Sequence, residues 1–427
     1  MSARRSGLAV LAEPNFRRFF IGSAASLMGD GMVTVALSFA VLDLTGSPAD
    51  LGYVLSARTV PRLAVLLFGG VIADRLPRRR LMIAADLTRC AGQGIVAGLL
   101  ISRQARIWEL MLLLAVHGTA TAVFNPAVTG LVQGITSDVR LQHANAMRGL
   151  AISAGTIIGP AIAGVITAAT SPGWAIAIDS ATFAISAIQL ARLEVPSAQR
   201  QPGQSFIHDL RDGWTEFRKR SWLAAYVSCA SLNNMFYTAF IVLGPAIALR
   251  SYGGPIAWAA LMATVGAGAL LGGMMALHIR PFFPLRTGAF CLVLFATPTI
   301  GIAAHVPLAL VAVLCLLAGA GTTVSNVLEQ TALQHNFDSE ILSRISSFEL
   351  LGSDAAQPIG QAGAGPVAAE IGIYPTLWIA GCAQLLNAVV TLAIPAVRNL
   401  TAGPAPSDVR DAHQDTHSHQ RTAGTKR

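Results

Sequence analysis

The chain has 427 residues, 53% of them hydrophobic and only 12% charged, with a formal net charge of +8. An ordinary soluble domain carries about 25% charged residues, so this chain has too few charges to coat the roughly two or three soluble domains its length would allow. Disorder over most of the chain is excluded by the same figures, and five cysteines in no regular spacing exclude a disulfide-stapled fold.

What remains is an integral membrane protein, and its spans can be followed along the chain. A bilayer-crossing helix needs about 20 mostly apolar residues. The first such stretch, Phe19 to Leu42, is interrupted only by Asp30. Windows with one or two charges follow at Leu51 to Ala73, Leu81 to Ser102 and Ile107 to Gly134. Gly149 to Ile178 is uncharged and overlaps a sixth window, Trp174 to Ala191. Beyond a polar stretch lie Ser221 to Leu249 and Ser251 to Ile279, both uncharged. Thr287 to Leu328 is also uncharged, long enough for two spans, and His305-Val306-Pro307 offers a turn near its middle. Ile345 to Ala369 and Ile371 to Val397 complete about twelve spans. The runs are continuous, whereas the strands of a membrane barrel alternate. The expected fold class is therefore an all-α integral membrane protein.

Six spans precede residue 193 and six follow residue 220. The expected domains are a six-helix N-terminal half (1–193), a central loop (194–220), a six-helix C-terminal half (221–397) and a disordered polar tail (398–427). His208 to Lys219 has the makings of a short surface helix inside the central loop. The halves share a faint repeat at an offset of 201, which aligns Asn125 with Asn326, Gln133 with Gln334, Gly159 with Gly360 and Gly164 with Gly365. Internal repeats are common in secondary transporters, with the substrate site at the repeat interface.

With the N-terminus and every second loop placed on one side, 24 of the 30 basic residues fall there and 3 fall on the other. Positive charge collects in cytoplasmic loops, so both termini are expected in the cytoplasm. The charge is scattered over many short loops, which argues against nucleic acid as a partner. The three tail histidines, His413, His417 and His419, are read as solvated, and no metal site is expected. The chain has no G-x-x-x-x-G-K-[ST], G-x-S-x-G or H-E-x-x-H motif, so neither ATP hydrolysis nor an intramembrane enzyme is expected.

Ionisable groups inside spans are costly and mark function. Asp30 is the foremost candidate: it sits mid-span, and the glycines of Gly29-Asp30-Gly31 leave room for substrate or water. Arg58, one turn from Arg62 on the second span, is positioned to neutralise it. Asp86 and Arg89 are three residues apart on the third span and read as a structural pair. Asp179, Glu329, Glu349 and Asp354 are further candidates for coupling or substrate binding. Asn233, Asn234 and Tyr237 on the seventh span either line a cavity or bond between helices.

Between spans two and three runs Gly69-Gly70-Val71-Ile72-Ala73-Asp74-Arg75-Leu76-Pro77-Arg78-Arg79-Arg80. This resembles the G-x-L-x-D-R-x-G-R-R signature of the major facilitator superfamily, with Pro77 in place of the usual glycine. The resemblance implies two pseudo-symmetric six-helix halves. It also implies that Gly70, Asp74, Arg75 and Arg78 form a conformational latch for the outward-facing state. His278-Ile279-Arg280-Pro281 occupies the matching loop of the second half without the acid. Gly155-Thr156-Ile157-Ile158-Gly159-Pro160 with Gly164 looks like the antiporter signature of that superfamily's exporters. With Asn15-Phe16-Arg17-Arg18-Phe19 and Leu44-Thr45-Gly46-Ser47, the chain is most similar to the third drug:proton antiporter group, which includes macrolide and enterobactin exporters. The implied activity is export of a small amphipathic drug, antibiotic or siderophore-like molecule, by proton antiport with alternating access. The energy source is the proton gradient and no cofactor is implied. The expected setting is the cell membrane, multi-pass and monomeric. An importer or lipid flippase of the same fold is the alternative.

Overall fold

The computed structural model describes residues 8–137, 140–194, 214–337 and 339–401; the side chains of 8–9, 67–75 and 339–344 lie outside the description. The central loop from 195 to 213 and the tail beyond 401 lie outside it too. Residues 214–219 are helical, matching the end of the expected surface helix.

The first half contains α1 (Pro14–Thr45), α2 (Pro48–Arg75), α3 (Arg78–Ile101), α4 (Ile107–Ile135), α5 (Leu141–Ala169) and α6 (Pro172–Ala191). The second contains α7 (Ser221–Ser251), α8 (Pro255–Ala276), α9 (Pro284–Ala303, stepped at Ala296) and α10 (Leu308–Asn336). It closes with α11 in two pieces (Ser339–Asp354 and Gln357–Ile371), α12 (Ile373–Ala393) and the short α13 (Pro395–Arg398). Prolines open α1, α6, α8 and α9, where a missing backbone N–H leaves nothing unpaired. α1 ends at Gly46, whose left-handed φ of 67° lets its N–H return to the Leu42 carbonyl. The turn expected at His305 separates α9 from α10.

Nine of these helices, among the described residues, are long and apolar enough to cross a membrane. Of the rest, α2, α3 and α11 carry their intramembrane charges in pairs: Arg58 with Arg62, Asp86 with Arg89, Glu349 with Asp354.

The core is continuous at one end of the bundle and divided at the other. At the end away from most of the arginines, one cluster draws on both halves. It joins Met32, Phe39 and Leu51 to Phe240, Trp258, Val311 and Leu377. At the arginine-rich end there are two clusters, each confined to one half. One holds Phe16, Phe19, Met82 and Leu131; the other holds Trp222, Leu223, Leu285 and Leu333. The halves therefore meet at one end and part at the other.

The repeat read from the sequence has a physical basis. Lipid supplies no hydrophobic drive between helices, so close packing through small residues takes its place. A Cβ on Gly159 of α5 would lie 2.7 Å from the Met28 carbonyl oxygen of α1; one on Gly360 of α11 would strike the Met235 carbonyl of α7. A Cβ on Gly164 would strike Ala259 of α8, and one on Gly365 would strike Ala49 of α2. Each aligned pair does the same job in its own half: the first seats the half's leading helix, and the second seats the opposite half. The seams α2–α11 and α5–α8 thus join the two halves.

Candidate functional site

Asp30 projects from the middle of α1 toward three helices. Arg58 Nη2 of α2 stands 3.4 Å from its Oδ1. Arg89 Nη1 of α3 stands 4.0 Å from its Oδ2, and His117 Nε2 of α4 lies 3.8 Å from Oδ1. Arg58 also lies 3.2 Å from His117 Nε2. A guanidinium has no acceptor, so the imidazole accepts there, and its own proton belongs on Nδ1. Backbone packing sets this pairing: a Cβ on Gly118 would strike the Arg58 carbonyl, so the absence of one brings α4 against α2 at the level of both side chains.

Arg89 is the buried centre of the cluster. It bonds Asp86 one turn away and is stacked between Phe124 and Phe183, with 4.2 and 4.3 Å from its guanidinium carbon to the ring centroids. Asp179 of α6 is fully buried, with neither oxygen hydrogen-bonded to a described residue. Gln93 faces it, its own amide nitrogen equally unsatisfied. Asp30, Asp86 and Asp179 face two guanidiniums and a neutral imidazole. Fully ionised, the set has one excess negative charge, which a single proton removes. Exposure separates the three acids: the Asp30 side chain is 29% exposed, whereas Asp86 and Asp179 are at 0%.

The glycines beside Asp30 do not open a space for substrate or water. A Cβ on Gly29 would strike Asp179 and Thr182 of α6, and one on Gly31 would strike the Gly155 carbonyl of α5. Neighbouring helices fill both positions. The same contacts explain the antiporter-like segment: Gly155 and Gly159 seat α5 on α1 from Leu27 to Gly31, on either side of Asp30. Pro160 is buried, and α5 runs unbroken through it. Gly164 serves the α8 seam instead.

A second polar group lies at the α2–α11 seam. Arg62 Nη2 reaches Asp354 Oδ2 at 2.9 Å, bridging the halves. Asp354 ends the first piece of α11, and α7 braces the break that follows. Asn234 Nδ2 donates to the Ser353 carbonyl at 3.0 Å, and the Ala356 N–H donates to Ser231 Oγ at 3.1 Å. Asn234 therefore bonds between helices. Asn233 is buried with its carbonyl oxygen unpaired among the described residues. Tyr237 stacks on Phe295 with ring centroids 4.1 Å apart.

The expected latch falls largely outside the description: α2 is helical through Arg75, but the side chains of Asp74 and Arg75, with Gly70, are not described. The Arg78 guanidinium lies over Gly130 of α4, within its own half.

Sequence reasoning brings Asp30 and Arg58 together, as the structure does. It misses His117, and it separates the Asp86–Arg89 pair from Asp30. The available signal was that four helices each carry a polar ionisable residue near mid-span.

The Major Facilitator Superfamily model matches residues 19–360. The chain belongs to that superfamily. It is similar to macrolide efflux protein A of Streptococcus pyogenes, 23% identical over 90% of this chain and 97% of that one. It is also similar to the multidrug efflux pump Tap of Mycobacterium tuberculosis, 27% identical over 88% and 92%. Its fold matches a crystal structure of the nucleoside transporter NupG, with a TM-score of 0.69 at 16% identity over 89% of this chain and 98% of that one. A bacterial homolog of the lysosomal transporter Spinster, solved inward-facing and unoccupied, gives 0.63 at 14% identity over 91% and 95%. This superfamily member is a multi-pass membrane transporter of small molecules; it is not an enzyme and needs no cofactor.

Proposed function

We propose that the chain exports small amphipathic molecules, of the drug or macrolide kind, by proton antiport across the cell membrane. The observation that carries this reading is Asp30: the one reachable acid in a buried cluster that lacks one proton for neutrality. Burying a net charge is costly, so the cluster is stable either protonated or with a cation in its place. Exchange of one for the other is antiport. The names of the efflux relatives support the export direction.

On this reading the arginine-rich end faces the cytoplasm, as positive charge in short loops favours. Both termini are then cytoplasmic, and the divided core is a cavity mouth open to the cytoplasm. The two six-helix halves, 1–193 and 221–397, rock about the α2–α11 and α5–α8 seams. The latch of Gly70, Asp74, Arg75 and Arg78 engages when the mouth closes. The working unit is the monomer, because both halves of the pathway lie in one chain.

A drug-susceptibility panel in an efflux-deficient host tests the reading. The intact chain should raise resistance to at least one amphipathic compound, and Asp30→Asn should abolish that gain. Inverted vesicles should accumulate the same compound when acidified inside. Accumulation only in right-side-out vesicles would make the chain an importer.

A further inference from the structure

The second half buries acids of its own. Glu329 on α10 and Glu349 on the first piece of α11 are both buried, and Gln330, the residue after Glu329, bonds Glu349, which brings the two acids together. Among the described residues, the groups that bond Glu349 are neutral donors. Gln330 Nε2 and Ser353 Oγ reach Glu349 at 3.5 and 3.4 Å. Tyr226 of α7 faces Glu329, with its hydroxyl 3.2 Å from Ser325 Oγ and Cys229 nearby. Asp354 is the further acid facing Glu349, and it is bonded to Arg62 of α2. α9 and α12 bring no titratable group to the pair among the described residues. Glu329 Oε1 has no partner there.

Two ionised carboxylates are acceptors only. Facing each other, they would bury two like charges with nothing between them. A base does not compensate them: among the described residues no Arg, Lys or His forms an ion pair with either glutamate. A metal ion does not either, since no group of three or more suitable ligands exists among those residues. The remaining cation is a proton, which turns one carboxyl into a donor and leaves the other as acceptor.

We propose that Glu329 and Glu349 form a second protonation site, holding one shared proton in this state and linked to the Asp30 cluster across the seam between the halves. The link is physical. Ser353, which bonds Glu349, is followed by Asp354, which bonds Arg62; one turn from Arg62, Arg58 reaches Asp30. While Arg62 neutralises Asp354, Glu349 sees little net charge from that side. When the seam parts, Asp354 stands unpaired one turn or so from Glu349, and loss of the shared proton becomes harder. Release leaves two carboxylates and sends the proton to water.

The site deepens the antiport reading only in what the second proton does; its occupancy stands apart from transport and is tested apart. Infrared pH titration of the full-length protein in liposomes, without substrate, reads protonated carboxyls directly. Wild type should show two protonated-carboxyl components at neutral pH: one that the double variant Glu329→Gln with Glu349→Gln lacks and Asp30→Asn retains, and one, from the Asp30 cluster, that behaves the other way round. Each single Gln variant leaves an amide donor facing the remaining carboxylate, so the fold should hold, as an unchanged unfolding temperature would show. Persistence of the first component, undiminished, in the folded double variant overturns the site. With ethidium as the transported probe, the protons moved per ethidium should fall in Glu329→Gln. An unchanged ratio in a transport-active variant overturns the link.

Discussion

In the first half, Asp30, Asp86 and Asp179 share Arg58, Arg89 and His117; in the second, Glu329 and Glu349 have each other, Gln330 and Ser353. Both sets lie inside a membrane bundle, and both are built on the same repeat. The first set balances buried charge mostly with fixed guanidiniums, leaving a deficit of one proton on a partly exposed acid. The second has no fixed cation, so its balance is the proton itself. Removing a base should therefore wound the first half, whereas removing an acid should barely disturb the second.

The largest effect expected is at Arg89. Truncation to Leu leaves Asp86 buried without its partner, a loss of about 3–5 kcal/mol for a broken buried ion pair. Thermal unfolding in detergent should show it, and the double variant Arg89→Leu with Asp86→Leu should recover much of the loss. If the single and double variants unfold alike, the guanidinium does not compensate Asp86. Next come the seating glycines. Gly159→Leu and Gly360→Leu should each cost about 1–3 kcal/mol through overpacking, because each drives a side chain into a partner helix backbone. Gly363→Leu, with open space around it, serves as the control and should be nearly neutral. Similar losses for all three would deny the glycine repeat its structural role.

A smaller effect is expected at the seam. Arg62 and Asp354 are partly exposed, so the pair contributes about 1 kcal/mol or less. Asp354→Asn should leave stability nearly unchanged while loosening α2 from α11. Disulfide trapping between cysteines placed at Ser56 and Pro358, whose hydroxyl and carbonyl now lie 3.0 Å apart, should slow measurably. Unchanged trapping would show that the ion pair does not hold the seam.

The spans were legible because a bilayer demands long apolar helices, and the intramembrane charges stood out against them. The Asp30–Arg58 pairing was legible for the same reason, and the glycine offset of 201 pointed to the repeated contacts of Gly159 with Gly360 and Gly164 with Gly365. The membership of the cluster was not. Arg89 lies twelve residues into α3, and its reach depends on the stacking between Phe124 and Phe183 from two other helices. His117 looked like one of several scattered histidines until Gly118 brought α4 against Arg58. Gly29 and Gly31 suggested empty room, but helix packing uses glycine to remove room, and Asp179 and Gly155 occupy it.

The central claim, that Asp30 exchanges the proton that drives transport, is tested most directly by proton flux. Purified protein is placed in liposomes with a pH-sensitive dye inside, and ethidium is added as the probe. Wild type should move protons opposite to ethidium, and Asp30→Asn should bind ethidium yet move none. Undiminished, pH-dependent counterflow in Asp30→Asn would contradict the account.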